Sequence, residues 1–350
     1  MNRTNALKQE ATKQGKPSNF VIFSPTNIIY FANFSGATAL LIPEEGENIL
    51  YVSGVNYEQA KEETKGLTVE LLNRGENLME KIAAQIPSQK FSVDTPPVEN
   101  WRVLAKAVGG EEKLESANNL IRDLRKIKDE KEIELIRQAG KIADIGIKAA
   151  AETIHPGIKE KEVAAEVEYA MRMAGSDGVA FETIVASGYC SAYPHGTFLE
   201  KIIQEGDLVV VDLGAIYKNY RSDITRTFMA GKASEKQTRI YQTVKSAQQK
   251  ACEAIKHDVL SSKVDLAARR VIEEAGFGKF FVHNLGHGVG LEIHEAPILS
   301  PDSKDILERG NVVTIEPGIY VPGFGGVRIE DTVLVTKSGA EKLTVAPIFP

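Results

Sequence analysis

Two stretches of this 350-residue chain follow one plan. Residues 205–228 read EGDLVVVDLGAIYKNYRSDITRTF, and residues 309–335 read RGNVVTIEPGIYVPGFGGVRIEDTVLV. Laid over each other, Gly206 falls on Gly310, Asp212 on Glu316, Gly214 on Gly318, Arg221 on Arg328, Asp223 on Glu330 and Thr225 on Thr332. Each is an apolar β-rich run closing on an acid and a glycine, followed by a turn region and a second strand with Arg-x-acid-x-Thr. Such an internal repeat predicts two β-hairpins carrying two acids apiece. Between them, residues 281–295 read FVHNLGHGVGLEIHE and hold three of the six histidines.

An acid that closes a strand is ordinarily just solvated. Four carboxylates converging from apolar strands are another matter, because they repel one another and lose their hydration. Two divalent cations cancel that charge, so the matched hairpins and the histidine stretch together read as a metal centre. Hard oxygen donors with one imidazole suit Mn, Co, Fe or Zn, and the carboxylate count favours Mn. Two such ions ~3.5–4 Å apart can hold a bridging hydroxide and polarise a carbonyl, so the chemistry implied is hydrolysis.

Composition narrows the surroundings of that centre. The length predicts two domains, or three, and an ample core. Apolar content of 43% and charged content of 26% are ordinary for a soluble globular protein. A net charge of −6 gives no electrostatic reason for a nucleic-acid partner. The two cysteines, Cys190 and Cys252, stand far apart, which argues against a disulfide scaffold or a thiolate metal site and fits a reducing cytoplasm. The first residues, MNRTNALKQEATKQGKPSN, lack the apolar core of a signal peptide, and no run approaches a membrane span. A cytoplasmic protein without membrane attachment is expected.

In chain order, residues 1 to about 16 read as a polar helix or a frayed arm. FVIFSP, IIYFANF, TALLIPEE and NILYVS then read as four short β-rich runs. Helices are expected at YEQAKEET, LMEKIAAQI and Trp101–Val108, with strands at TVELL and FSVD. Strands alternating with helices describe a small α/β domain, taken as residues 1–123, with no acid, histidine or phosphate-loop constellation in it. The charged stretch 112–128 reads as the boundary. Beyond it, in residues 124–350, Asp129 and Glu132 form a capping-box pattern, and apolar residues at helical spacing carry a helix to about Thr153. A second helix is expected over Lys161–Ala174, then a strand-like run and an exposed loop with His195. After the first hairpin come a helix opened by Ser234 with Gln237, another over Val264–Ala275, and the second hairpin. Two facing copies of helix pair and hairpin would bring the acids to one cleft, with helices on the outer face of a shared sheet.

The histidines are harder to assign from spacing. His283 and His287 have the separation of two ligands on one helix face, but Gly286, Gly288 and Gly290 argue against a helix. In a strand those two share a face, and His294 points away unless the chain bends. Periodicity does not choose between His283 and His287 as ligand. His155 and His257, beside helix ends, read as surface residues.

Taken together, VVVDLGA, SDITRTF, HNLGHGVGLEIHE, TIEPGIY and GVRIED resemble the pita-bread metallopeptidases, which include Xaa-Pro dipeptidases (prolidases), aminopeptidase P, methionine aminopeptidase and creatinase. The resemblance runs from about residue 125 to 345. SPTNIIYFANFSG is similar to the start of the N-terminal domain of prolidase, aminopeptidase P and creatinase, a domain methionine aminopeptidases generally lack. The fold implied is a small N-terminal α/β domain followed by a pita-bread catalytic domain with a pseudo-two-fold internal repeat. The resemblance makes Asp212, Asp223, His287, Glu316 and Glu330 the ligands of two divalent ions. Asp223 and Glu330 would bridge, Asp212 would hold one ion, and His287 with Glu316 the other. Glu316 would also accept the proton of the attacking water. His195 and His294 would steady the tetrahedral intermediate, His283 would sit on the substrate side, and Arg328 would orient carboxylates or face the substrate.

The activity implied is hydrolysis of the bond between an N-terminal residue and proline, in dipeptides or longer peptides, by a homodimer. An aminopeptidase of other specificity and a catalytically silent peptide-binding protein are the alternatives. The chain departs from its relatives twice. Gly54-Val55-Asn56-Tyr57 stands where they often carry Asp-x-Arg-Tyr, and HEAPILS follows the last histidine motif where some dipeptide-specific relatives carry an Arg. Ile298 and Leu299 there suggest an apolar wall rather than a cation for a product carboxylate.

Overall fold

Apolar alternation builds the first third of the chain. The computed structural model describes residues 2–86, 89–196 and 200–348. It divides into two compact units, Met1–Leu124 and Arg125–Pro350. In the first unit, strands β1 (Phe20–Ile22), β2 (Ala39–Ile42), β3 (Ile49–Ser53), β4 (Thr68–Leu72), β5 (Phe91–Val93) and β6 (Leu114–Ser116) form one mixed sheet in the order β4-β3-β2-β1-β5-β6. Residues along each strand alternate between its two faces. Phe20 and Ile22 pack with α1 (Arg3–Lys13) and α6 (Asn118–Lys126), while Val21 and Phe23 pack with α4 (Leu78–Gln85) and α5 (Val98–Val108). The domain is thus a sheet between two helical layers, with α3 (Tyr57–Glu63) contributing Ala60 to the first of them.

One expectation fails here. The IIYFANF run is not a strand but helix α2 (Pro25–Ala32). Ser24 caps it, Pro25 opens it with a preset φ, and Asn33 closes it at φ 53°. These punctuation residues outweigh the β propensity of Ile, Tyr and Phe. The charged stretch 112–128 holds β6 and α6, and the chain divides within it, between Leu124 and Arg125 inside α6.

The second unit is a doubled motif. Helix α7 (Glu130–Thr153) begins with the Asp129–Glu132 capping box and is followed by α8 (Glu160–Met173). Next come β7 (Gly178–Val179), β8 (Ile184–Ser187), β9 (Asp207–Leu213), β10 (Ala215–Tyr217), β11 (Tyr220–Arg221) and β12 (Ile224–Ala230). Helix α9 (Glu235–Ala254) starts with the Ser234–Gln237 capping box. After it come β13 (Val259–Leu260), α10 (Ser261–Glu274), β14 (Gly286–Gly288), β15 (Glu295–Leu299), β16 (Ile306–Leu307), β17 (Val312–Ile315), β18 (Gly318–Val321), β19 (Gly325–Arg328), β20 (Asp331–Val335) and β21 (Ala340–Lys342).

Each half has its own core. Ile142, Ile147, Val163 and Val167 of α7 and α8 pack on Val209, Val211 and Leu213. Val244, Ala247, Ala268 and Ile272 of α9 and α10 pack on Val313, Ile315, Val333 and Val335. Two sheets, β12-β9-β8 and β15-β14-β17-β20-β21, replace the single shared sheet expected from the sequence. They meet through separate bonds rather than a ladder: Glu330 N donates to Thr225 O (3.1 Å), and Thr332 Oγ1 donates to Asp223 O (2.8 Å). Arg226, its side chain 1% exposed, fastens this seam by donating to Thr225 O and Glu330 O and pairing with Asp331 at 2.7 Å.

Candidate active site

Period-two alternation turns the acids away from both cores. Asp212 lies between Val211 and Leu213 on β9, so its carboxylate leaves the face that those two bury. Glu316 follows β17, and Asp223 and Glu330 immediately precede β12 and β20. All four line one cavity of about 540 Å³ within the second unit. His195, His283, His287, His294 and Arg328 line it as well. So do Phe181, Ile184, Ile293 and Ile298, which make part of its wall apolar.

His287 reaches the acids because of its glycine neighbours. An added Cβ on Gly286 would lie 2.1 Å from Thr314 O, and one on Gly288 would lie 2.3 Å from Ala296 O. Only glycine lets β14 approach both β17 and β15 so closely. His287 Nε2 then lies 3.3 Å from Glu316 Oε1 and 3.6 Å from Asp223 Oδ2. Asp223, His287 and Glu330 each present a ligand atom, all within 4.8 Å of one another. His283 is not in a strand. Its Nε2 meets Tyr320 Oη at 2.9 Å, and its ring does not join that group. The His287 and His294 rings stand edge to face at 4.3 Å, because the β14–β15 connection bends His294 back into the cavity. His195 is exposed on its loop, and His155 and His257 lie on the surface.

The acids divide into two kinds. Burial, followed by the neighbouring carboxylates, holds Asp223 and Glu330 well above the usual carboxylate range. Burial also raises Asp212, against the opposing charge of Arg328, whose Nη2 lies 2.5 Å from Asp212 Oδ2. Glu316 goes the other way. Burial would raise it, but the hydrogen bond and charge of His287, with His283 and Arg328 beyond, bring it down to about 2. His287 is raised in turn, since Glu316 outweighs the effect of its burial. Asp212 Oδ1 is buried without a hydrogen-bond partner among the described residues. A buried orphan oxygen, crowded carboxylates and one imidazole form a donor set that fits divalent cations.

Two residues given no role in the site from the sequence complete the arrangement. Thr225 donates its hydroxyl to Glu330 Oε2 at 2.6 Å and accepts from Arg328 Nε at 3.0 Å. Tyr320 bonds both His283 and Arg328 Nη1, and its hydroxyl is pushed up to about 12, chiefly by burial. The matched threonines of the repeat pointed to Thr225. Tyr320 carried no signal, because a tyrosine in an apolar run reads as core. The apolar wall is half as expected: Ile298 faces the cavity, but Leu299 is fully buried in the core.

Comparison with known proteins identifies the family. Residues 134–337 match Metallopeptidase family M24, and residues 3–127 match the Creatinase/Prolidase N-terminal domain. The chain belongs to metallopeptidase family M24. Its fold is the pita-bread fold behind a creatinase/prolidase-type N-terminal domain. A Xaa-Pro dipeptidase of Pyrococcus furiosus is 45% identical over 325 residues, 92% of each chain. The solved prolidase of Pyrococcus horikoshii OT3 superposes with a TM-score of 0.93 at 41% identity, covering 99% of both chains. A Xaa-Pro dipeptidase structure from Bacillus anthracis gives 0.94 at 36% identity, covering 99% of this chain and 98% of that one. The M24 enzyme is therefore a metallopeptidase. No helix among its described residues is long and apolar enough to cross a membrane.

Proposed function

We propose that this M24 metallopeptidase hydrolyses the peptide bond between an N-terminal residue and proline, with two divalent ions held by Asp212, Asp223, His287, Glu316 and Glu330. The observation that carries the reading is the gathering of four carboxylates and His287 in one half-apolar cavity, in a chain whose similar relatives are named Xaa-Pro dipeptidases. Asp223 and Glu330 would serve both ions, Asp212 would hold one, and His287 with Glu316 would hold the other. Manganese is favoured by the oxygen-rich donor set. The same reading carries a cytoplasmic homodimer acting on small peptides with proline second.

Bound ions would supply the Lewis acidity that polarises the scissile carbonyl and lowers the pKa of the attacking water. The chain's own groups do the rest. Glu316, ionised at neutral pH, accepts the water's proton at a carboxylate oxygen and returns it to the departing proline nitrogen. His195 and His294 donate to the oxygen that gains charge as the carbonyl becomes tetrahedral. His283, oriented by Tyr320, lines the substrate side. Arg328 fixes Asp212 through Nη2 while Tyr320 and Thr225 fix Arg328. Phe181, Ile184, Ile293 and Ile298 exclude water around the apolar part of the peptide. The relatives' dipeptidase names favour dipeptides, whereas the lining of this cavity favours longer peptides.

The test is hydrolysis of Ala-Pro, Ala-Pro-Ala, Met-Ala-Ser and creatine by chelator-stripped protein reloaded with Mn or Co. Metal-dependent cleavage confined to the proline peptides is expected. Turnover of Met-Ala-Ser or creatine instead would overturn the reading.

A further inference from the structure

Next to His294 lies an ion cluster that no step above uses. Glu295 has a side chain only 6% exposed, with Arg125 (10%) and Lys128 (1%) against it. Arg125 Nη2 bonds Glu295 Oε1 and also reaches Glu292 Oε2 at 2.8 Å. Lys128 Nζ bonds Glu295 Oε2 at 3.2 Å. Glu295 Oε1 also accepts from Glu292 N at 2.9 Å. Burial alone would raise this carboxyl, but Lys128 and Arg125 bring it below the usual range. The carboxylate rests on the glycine at the other end of the loop: a Cβ on Gly290 would meet its oxygens at 2.8 and 2.9 Å. Gly290 N in turn donates to Glu292 O at 3.1 Å, and Gly290 O accepts from Arg221 N at 2.8 Å.

Residues 290–295 therefore form a short loop closed over a buried anion, and the cations that hold the anion come from the segment that opens the second unit. The same loop presents Ile293 and His294 to the cavity, with the His294 ring against His287. A buried charge held by two buried cations is a stiff, directional anchor, whereas the loop's own backbone bonds are few.

We propose that Glu295, clamped by Arg125 and Lys128, is a positioning residue that sets His294 and Ile293 against the substrate cavity. The cations touch neither substrate nor ligand; they act through the loop. This rests on the Xaa-Pro hydrolase reading for its kinetic arm only.

Glu295→Gln keeps the shape and removes the charge. In metal-stripped protein, hydrogen exchange is expected to quicken within residues 286–296 and to stay at the wild-type rate in α7, α9 and β20. Faster exchange throughout the second unit would make the cluster merely a stability element and overturn the proposal. In reloaded enzyme, Glu295→Gln is expected to keep both ions and lower kcat/KM roughly 10- to 100-fold. Made on top of His294→Ala, it is expected to lower kcat/KM by less than about threefold more, because both changes act through one group. Independent, multiplicative losses would overturn it. Should Glu295→Gln not fold, Lys128→Met carries the same cycle, and Lys128→Arg is expected to restore at least half of the lost kcat/KM. A wild-type protein inactive on every proline peptide would sink the hydrolase reading and leave the exchange test standing.

Discussion

At the scale of single residues, the acids differ in what answers their charge. Asp212 has Arg328 and Glu316 has His287, while among the described residues Glu330 has only the Thr225 hydroxyl at hydrogen-bond distance, and Asp223 lies 3.6 Å from the shared His287. The two least compensated are the two assigned as bridges, where each carboxylate would meet two cations. Asp223→Asn removes charge from both at once and offers an amide that binds divalent ions weakly. At least one of the two ions is expected to be lost on metal analysis of the purified variant. Two ions bound at wild-type affinity would take Asp223 off the bridge. The histidines separate in the same way. His195→Ala is expected to keep both ions and lose roughly 10²-fold or more in kcat, the scale of one lost transition-state donor. His287→Ala is expected to lose metal first. The opposite pattern would exchange their roles.

At the scale of elements, the seam between the two hairpins depends on Arg226. Its guanidinium is satisfied by Thr225 O, Glu330 O, Ala346 O and the Asp331 carboxylate, all buried. Removing one partner of a buried pair costs about 3–5 kcal/mol. Here Lys342 and Gln248 still hold Asp331 Oδ2, while Thr225 O, Glu330 O and Ala346 O lose the guanidinium as donor. Arg226→Met is therefore expected to lower the Tm of the metal-stripped protein by on the order of 10 °C. Calorimetry in chelator reads this without a contribution from bound metal, and an unchanged Tm would show that the seam holds without the pair. The elements also divide into those the residues announce and those they hide. Both capping boxes, Asp129–Glu132 and Ser234–Gln237, sit where local spacing puts them, and the repeat announces both acidic hairpins. Helix α2 was hidden because its interior is β-prone and only Ser24, Pro25 and Asn33 mark its ends. Helix α6 was hidden by its charge. The Arg125–Glu295 clamp joins residues 170 apart in sequence, and no local pattern encodes it. Spacing alone leaves His283 and His287 open, and only the resemblance separates them; the glycines on either side of His287 are what bring β14 against β17 and its ring toward the acids.

At the scale of the whole molecule, the question is which peptides the cavity accepts. A dipeptide ends in a carboxylate just beyond the scissile bond, and a site built for dipeptides gains from a cation fixed there. Among the described residues of the second unit that line the cavity, Arg328 alone is an arginine or lysine, and Asp212, Tyr320 and Thr225 already engage it. Ile298, at the place where a cation could stand, presents an apolar surface. A longer peptide puts a neutral amide there, which such a surface does not penalise. A missing charge-assisted contact is worth about 1.5–3 kcal/mol, or roughly 10- to 150-fold in kcat/KM. Xaa-Pro-Xaa tripeptides are therefore expected to be cleaved at least as well as Xaa-Pro dipeptides, and Ile298→Arg is expected to shift preference toward dipeptides. Leu299 is buried in the core, so Leu299→Arg would test folding rather than specificity. The measurement is kcat/KM for Ala-Pro against Ala-Pro-Ala, in the wild type and in Ile298→Arg. A wild-type preference for the dipeptide above about tenfold would mean that a cation outside this lining captures the carboxylate. It would make the enzyme a strict dipeptidase, and Ile298→Arg would then leave the preference where it was.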